Sequence, residues 1–175
     1  MKRLIIANLI MVMAISIKAQ ENQTKYQDKT RNIDTTIKTL YAVISGEKGE
    51  ERDWDLMRYI YHPDAKLVPT GTNPEGKVGA RYITPQYYVE NSGPWLMENG
   101  FFEEEIHRET QVFGNIAHVF STYQCFKSKT DKEPFMRGIN SIQLFNEGGR
   151  WRVINIFWAQ ETEENPIPEA YLPKN

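Results

Sequence analysis

Three runs of alternating apolar and polar residues fill the second half of the chain, over residues 115–127, 135–145 and 151–160. Alternation with a period of two predicts strands. The breaks between them are polar. The first, 128–133, ends in Pro134, and the second, Asn146-Glu147-Gly148-Gly149, has the Asn and Gly that accept the positive φ of a tight hairpin. Together they predict an antiparallel meander. Residues 101–113 precede it as a further strand, with Glu103, Glu105, His107, Glu109 and Gln111 on one parity and Phe102, Glu104, Ile106, Arg108, Thr110 and Val112 on the other. Neither face of that strand is cleanly apolar. The last run carries large apolar residues on both parities, Ile154, Ile156 and Trp158 against Val153 and Phe157. Helices can cover only one face, so a second copy is the simplest cover for the other, and a symmetric homodimer is expected.

The first half has helical spacing instead. Ile33, Ile37, Leu40, Tyr41 and Ile44 line one face before Gly46 stops the run, and Trp54, Leu56, Met57, Ile60 and Tyr61 make a shorter helix that His62-Pro63 ends. Residues 65–69 fit a short strand, and 71–79 form a loop by their glycines and proline. Thr84-Pro85 is a helix start, with a capping hydroxyl followed by a fixed φ. That helix carries Tyr87, Tyr88 and Val89, breaks at Gly93-Pro94, and resumes through Trp95, Leu96 and Met97 to Gly100. Helices first and a meander last define an α+β fold in which N-terminal helices pack in a strongly curved antiparallel sheet, a cone with one open end.

The chain ends differ from this core. Lys2 and Arg3 followed by an apolar run over 4–17 and the small Ala19 read as a secretory signal peptide over 1–19, which sends the protein to the periplasm or outside the cell. The run is shorter than the ~20 residues that span a bilayer, so no membrane span is expected after cleavage. No Cys follows it at the point where a lipoprotein would need one, so lipid attachment is not indicated. Residues 20–29 are a polar, flexible lead-in, 30–164 the folded domain, and 165–175 an extended tail that Tyr171-Leu172 pins down. Cleavage removes Lys2, Arg3 and Lys18 from 21 basic residues while all 23 acidic ones remain, a net charge of about −5. Nucleic acid is therefore an unsuitable partner. Cys125, the single cysteine, forms no internal disulfide and fits a buried thiol.

The segments Tyr59-Ile60-Tyr61-His62-Pro63-Asp64-Ala65, Phe113-Gly114-Asn115-Ile116-Ala117-His118-Val119 and Gly149-Arg150-Trp151-Arg152-Val153-Ile154 resemble the nuclear transport factor 2-like (NTF2-like) superfamily. That group contains ketosteroid isomerase, the SnoaL-type cyclases and scytalone dehydratase, and the resemblance covers about residues 34–163. It implies the cone fold. Function is not implied, because this fold serves enzymes, binding proteins and oligomerisation domains alike. The isomerase-like members place a carboxylate base just past the Asp-Ala turn, where this chain reads Lys66-Leu67-Val68-Pro69-Thr70. Pro69 stands at the position of the base.

Dehydratase-like members use histidine with tyrosine or aspartate. His107 and His118, on adjacent predicted strands, fit a base oriented by Glu105, with Tyr61 or Tyr123 as proton donor; they fit a solvated or dimer-facing surface equally well. His62 fits a helix-end cap. A second set points to binding: Trp54, Tyr88, Trp95 and Trp158, together with Tyr61 and Tyr123, come from separate elements that this fold brings toward one cavity, with Arg137 and Asn140 as its polar end. Core filling by the same aromatics is the alternative. No metal-ligand spacing or nucleophile elbow occurs, and no cofactor is expected. The leading expectation is a dimeric domain that binds a small, mostly apolar molecule. A His-based lyase or isomerase and a non-catalytic scaffold are the alternatives. Export from a bacterial host should leave a mature N-terminus at Gln20 or Glu21 by mass spectrometry, and an intact Met1 would overturn the leader assignment.

Overall fold

The computed structural model describes residues 24–174. The leader expected over 1–19 and the first part of the lead-in lie outside the described residues. In chain order the elements are α1 (Ile33–Ile44), α2 (Trp54–Ile60), β1 (Tyr61–Thr72), β2 (Val78–Ala80), α3 (Pro85–Asn91), α4 (Gly93–Asn99), β3 (Phe102–Phe113), β4 (Ile116–Phe126), β5 (Met136–Glu147) and β6 (Arg150–Gln160). Helix α1 starts at a capping box, Asn32 accepting from the Thr35 amide and Thr35 accepting in return, and buries the stripe Ile37, Leu40 and Tyr41. Thr84 caps α3 by accepting the Tyr87 amide.

The strands form one sheet in the order β2-β1-β6-β5-β4-β3. Its β3–β6 portion is the expected antiparallel meander, but β1 lies parallel to β6, so the sheet is mixed. Strand β1 is also longer than the short strand expected over 65–69, and Tyr61 is its first residue rather than the last of a helix. Strand β2, helices α3 and α4 and strands β3 to β5 separate β1 from β6 along the chain, ample length for the return that a parallel pair needs. Helix α1 touches both β3 and β6, with two strands between them. A helix about 10 Å across reaches strands about 14 Å apart only if the sheet bends around it.

Two bulges decide which side chains face the helices. In β3, Glu105 lies opposite Tyr123 and His107 opposite Thr122, so Ile106 is an extra residue. Before it Glu103 and Glu105 point inward; after it Arg108 does, and His107 turns outward with Thr122. In β6, Val153 pairs with Leu144 and Asn155 with Gln143, which leaves Ile154 extra. Trp151 and Val153 therefore share the inner face with Ile156 and Trp158 in spite of their opposite parity. The apolar load expected on both faces of this strand is mostly on one, with Ile154 (38 %) and Phe157 (44 %) left exposed.

Both flanks are tied down. The lead-in, expected to be flexible, buries Tyr26, whose hydroxyl donates to the Asp53 carboxylate at 2.8 and 2.9 Å while its ring packs on Tyr59 at 5.4 Å. The tail crosses the outer sheet face. Ile167 is buried and its amide donates to Glu161, which also receives Arg137 through two bonds of 2.7 and 3.1 Å. Thr122 donates to the Tyr171 carbonyl at 2.7 Å, and the Tyr171 ring meets Phe120 edge-on at 5.1 Å.

At the end of α1, buried Arg52 donates to the carbonyls of Ile44, Gly46, Glu47, Glu50 and Leu96, joining α1 to α4. Arg52→Met keeps the apolar stem and strands these acceptors, so it should cost about 3 kcal/mol in urea denaturation. Arg31→Met, which removes an exposed pair with Asp28 at 3.5 Å, should cost about 0.5 kcal/mol or less.

Candidate functional site

The concave face of the sheet and the four helices enclose a cavity of about 230 Å³. Its walls are apolar and aromatic: Leu40, Ile44, Met57, Leu67, Leu96, Phe101, Met136 and Ile156 with Tyr41, Tyr61, Tyr88, Tyr123, Trp95 and Trp158. Trp95, 44 % exposed, marks its mouth. Ser92, Asn140 and Glu103 supply the remaining polar groups. Glu103 is the one charged side chain on the wall among the described residues.

Local structure fixes Glu103 closely. The end of α1 is clamped to the start of β3 by reciprocal backbone bonds between Gly46 and Phe101, 2.8 and 3.0 Å. Ser45 adds to this, its hydroxyl accepting the Glu103 amide at 3.0 Å while its own proton goes to the Tyr41 carbonyl at 2.7 Å. The side chain then enters the cavity, where Asn140 Nδ2 donates to Oε1 at 3.1 Å. Glu103 is half-buried as a residue, and its carboxyl end faces the apolar, aromatic cavity. Loss of hydration therefore pushes its pKa up to about 7, against which the Asn140 bond is a smaller, opposing effect.

A chain of hydrogen bonds runs back from this carboxyl. Asn140 Nδ2 also donates to the Tyr41 hydroxyl at 3.1 Å, and Tyr41 meets Ser121 at 2.7 Å. Ser121 donates to Glu105 Oε1 at 2.5 Å, so its only proton is used and Tyr41 must be the donor in their shared bond. Glu105 is gripped by Arg108, which also reaches Asp34 at 2.6 Å. Every donor in the series is thereby oriented. Burial, with the charge of Glu103 among the further causes, raises the phenols of Tyr41, Tyr61, Tyr88 and Tyr123 above their ordinary value, so all four are neutral donors. Burial likewise raises the Cys125 thiol.

Of the residues singled out from the sequence, Tyr61, Tyr88, Trp95, Tyr123, Asn140 and Trp158 meet on the cavity wall. The others do not. His107, just past the Ile106 bulge, faces outward with Thr122, and its Nε2 is buried without a hydrogen-bond partner. His118 is on the same outer face, with Nε2 3.0 Å from Ser141. His62 accepts the Asp64 amide at 3.2 Å on β1. Neither His107 nor His118 pairs with Glu105, which points the other way. Arg137 is bound to Glu161 under the tail, and Trp54 lies behind the wall against Gly93. Glu103, Tyr41 and Ser121 were missed. Glu103 belongs to a strand neither of whose parities is cleanly apolar, and only pairing with the buried Cys125 reveals its direction. Among the described residues no group of three His, Cys, Asp or Glu side chains is placed to hold a metal.

No protein-family model matches the chain, and no curated protein sequence matches it. Solved structures do. An NTF2-like superfamily protein from Salmonella enterica aligns with a TM-score of 0.52 at 13% identity, over 88% of this chain and 99% of its own. A Nostoc punctiforme protein with a cystatin-like fold aligns at 0.55 and 11% identity, over 75% and 90%. The Rv3472 protein of Mycobacterium tuberculosis aligns at 0.55 and 12% identity, over 78% and 79%. The fold is thus the NTF2-like, cystatin-like α+β fold.

The raised pKa of Glu103 makes a stability prediction. Its folded value of about 7 lies above the unfolded 4.5, so folding favours the protonated form. That contribution is complete below about pH 4.5 and is lost as pH rises through about 7. Glu103→Gln removes the titration while keeping the shape. In urea denaturation the variant should match the wild type near pH 4.5 and exceed it by on the order of 3 kcal/mol above pH 7. A pH-independent difference would show that Glu103 is well solvated.

Proposed function

We propose that the protein binds a small, mostly apolar molecule in the cavity between the sheet and the helices, with Glu103 as the polar anchor. One observation carries this reading: a lone carboxylate on the wall of an otherwise apolar, aromatic space, with its second oxygen outside every described hydrogen bond. Aromatic walls supply contact area at low entropic cost, and a single convergent polar group sets orientation. The unfilled volume favours a binding site over a scaffold whose interior is closed by its own side chains. It suits a compact molecule, one or two rings in size.

A second reading rests on the pKa of about 7, which is suited to proton transfer near neutral pH. Here Glu103 would take the place expected of a histidine, as the base of a lyase or isomerase, and the neutral hydroxyls of Tyr61 or Tyr123 would donate to developing negative charge. Exchange of a carbon-bound proton next to a carbonyl for deuterium, observed by NMR with small cyclic ketones and lost in Glu103→Gln, would distinguish catalysis from binding alone.

A thermal-shift screen of small aromatic and alicyclic compounds tests the binding reading. For any hit, Trp158→Ala should weaken affinity by ~1 to 3 kcal/mol, because Trp158 lines the cavity. Phe157→Ala, next to it on the exposed outer face, should leave affinity unchanged. Equal effects of the two substitutions would place the ligand elsewhere.

A further inference from the structure

We infer that the ligand class this cavity selects is a cation, an apolar amine or quaternary ammonium whose charged nitrogen seats against Glu103 within the aromatic wall. The inference rests on the cavity being the binding site and goes on to specify its occupant. Among the described residues, no Lys, Arg or His side chain lines the space. The nearby arginines are committed elsewhere: Arg108 to Glu105 and Asp34, Arg52 to backbone carbonyls, Arg137 to Glu161. A carboxylate or phosphate ligand would meet Glu103 with no counter-charge.

The wall has the two features that recognise a cation. Trp95, Trp158, Tyr61 and Tyr88, from four different elements, contribute rings to the cavity lining, and the negative face of an aromatic ring attracts a cation more strongly once water is excluded. Glu103 offers one held oxygen and one open one. A carboxylate served by a single neutral donor is poorly compensated, and an ammonium group would supply the missing charge. Asn140 cannot turn to offer its carbonyl instead, because the same nitrogen is committed to Tyr41.

This assignment has a signature in pH. The groups that face Glu103 are Tyr41 from α1, Tyr61 from β1, Tyr88 from α3, and Tyr123 and Cys125 from β4, with Glu105 beyond it on its own strand. The tyrosines and the cysteine all have raised pKa values and stay neutral through the neutral range, and Glu105 is paired with Arg108. Glu103 alone changes charge there. A permanently charged ligand should therefore bind in proportion to the ionised fraction of Glu103. A neutral carbonyl ligand, taking a proton from the acid form, should show the opposite slope.

The test compares phenyltrimethylammonium with its neutral carbon analogue, tert-butylbenzene, by tryptophan fluorescence titration of the mature protein. Neither probe titrates, so any pH dependence belongs to the protein. The ammonium should bind more tightly than the hydrocarbon at pH 8. Its affinity should rise about tenfold from about pH 6 to about pH 8, as expected for a group titrating at about 7. In Glu103→Gln, with its fold checked by near-ultraviolet circular dichroism, that slope should vanish and the preference for the ammonium should collapse. Equal or tighter binding of tert-butylbenzene, or a flat or reversed slope in the wild type, overturns the cation assignment while leaving the cavity as a binding site. If neither these probes nor the screened compounds bind, both readings fall.

Discussion

A carboxyl group on the wall of an apolar cavity, with no cation beside it, must be steadied by neutral donors or hold its proton, and the interior of this protein is arranged around that requirement at Glu103. Asn140 provides the donor. Its orientation is not free, because Tyr41 takes the other amide proton and passes its own to Ser121, which passes its own to Glu105. The far end is an ion pair at the surface, Arg108 between Glu105 and Asp34. Each bond in the series is modest by itself. Their value lies in direction, since reversing one hydroxyl would require every other to reverse against a carboxylate that cannot donate.

The fold was legible because periodicity and turn chemistry survive without tertiary context. The Ile33–Ile44 stripe, the Thr84-Pro85 start, the Gly93-Pro94 break and the Gly148-Gly149 hairpin are local signals, and each has its counterpart in the structure. What the sequence hid was register. Counting back from the Gly114 turn without a bulge would set Glu103 opposite Phe126 on the outer face, whereas Ile106 shifts it opposite Cys125 inside. His107, on the turn side of the insertion, faces outward with Thr122 in either count, so only the glutamates are brought in. One unpaired residue thus set a glutamate in the place expected of a histidine base, and nothing in the alternation marks Ile106 as the extra one.

The aromatic half of the site was easier to read because large rings carry their own evidence of burial. Tyr61, Tyr88, Trp95, Tyr123 and Trp158 lie on five elements that this topology must gather around one space. Arg137 misled for a related reason: a charged residue beginning a central strand looks like a pocket group, but here it answers Glu161 and anchors the tail. The parallel pairing of β1 with β6 was also out of reach, since it joins segments some ninety residues apart with no turn to announce it.

That tail changes what the outer sheet face can do. Ile167 and Tyr171 already lie on the strands that a second copy would seek, and they are tethered to the end of β6 by only a few residues. A tethered segment competes at an effective concentration on the millimolar scale, well above that of a free partner. Any partner approaching this part of the face would have to displace the tail first, and shortening the C-terminus would uncover these strands without touching the cavity on the other side of the sheet.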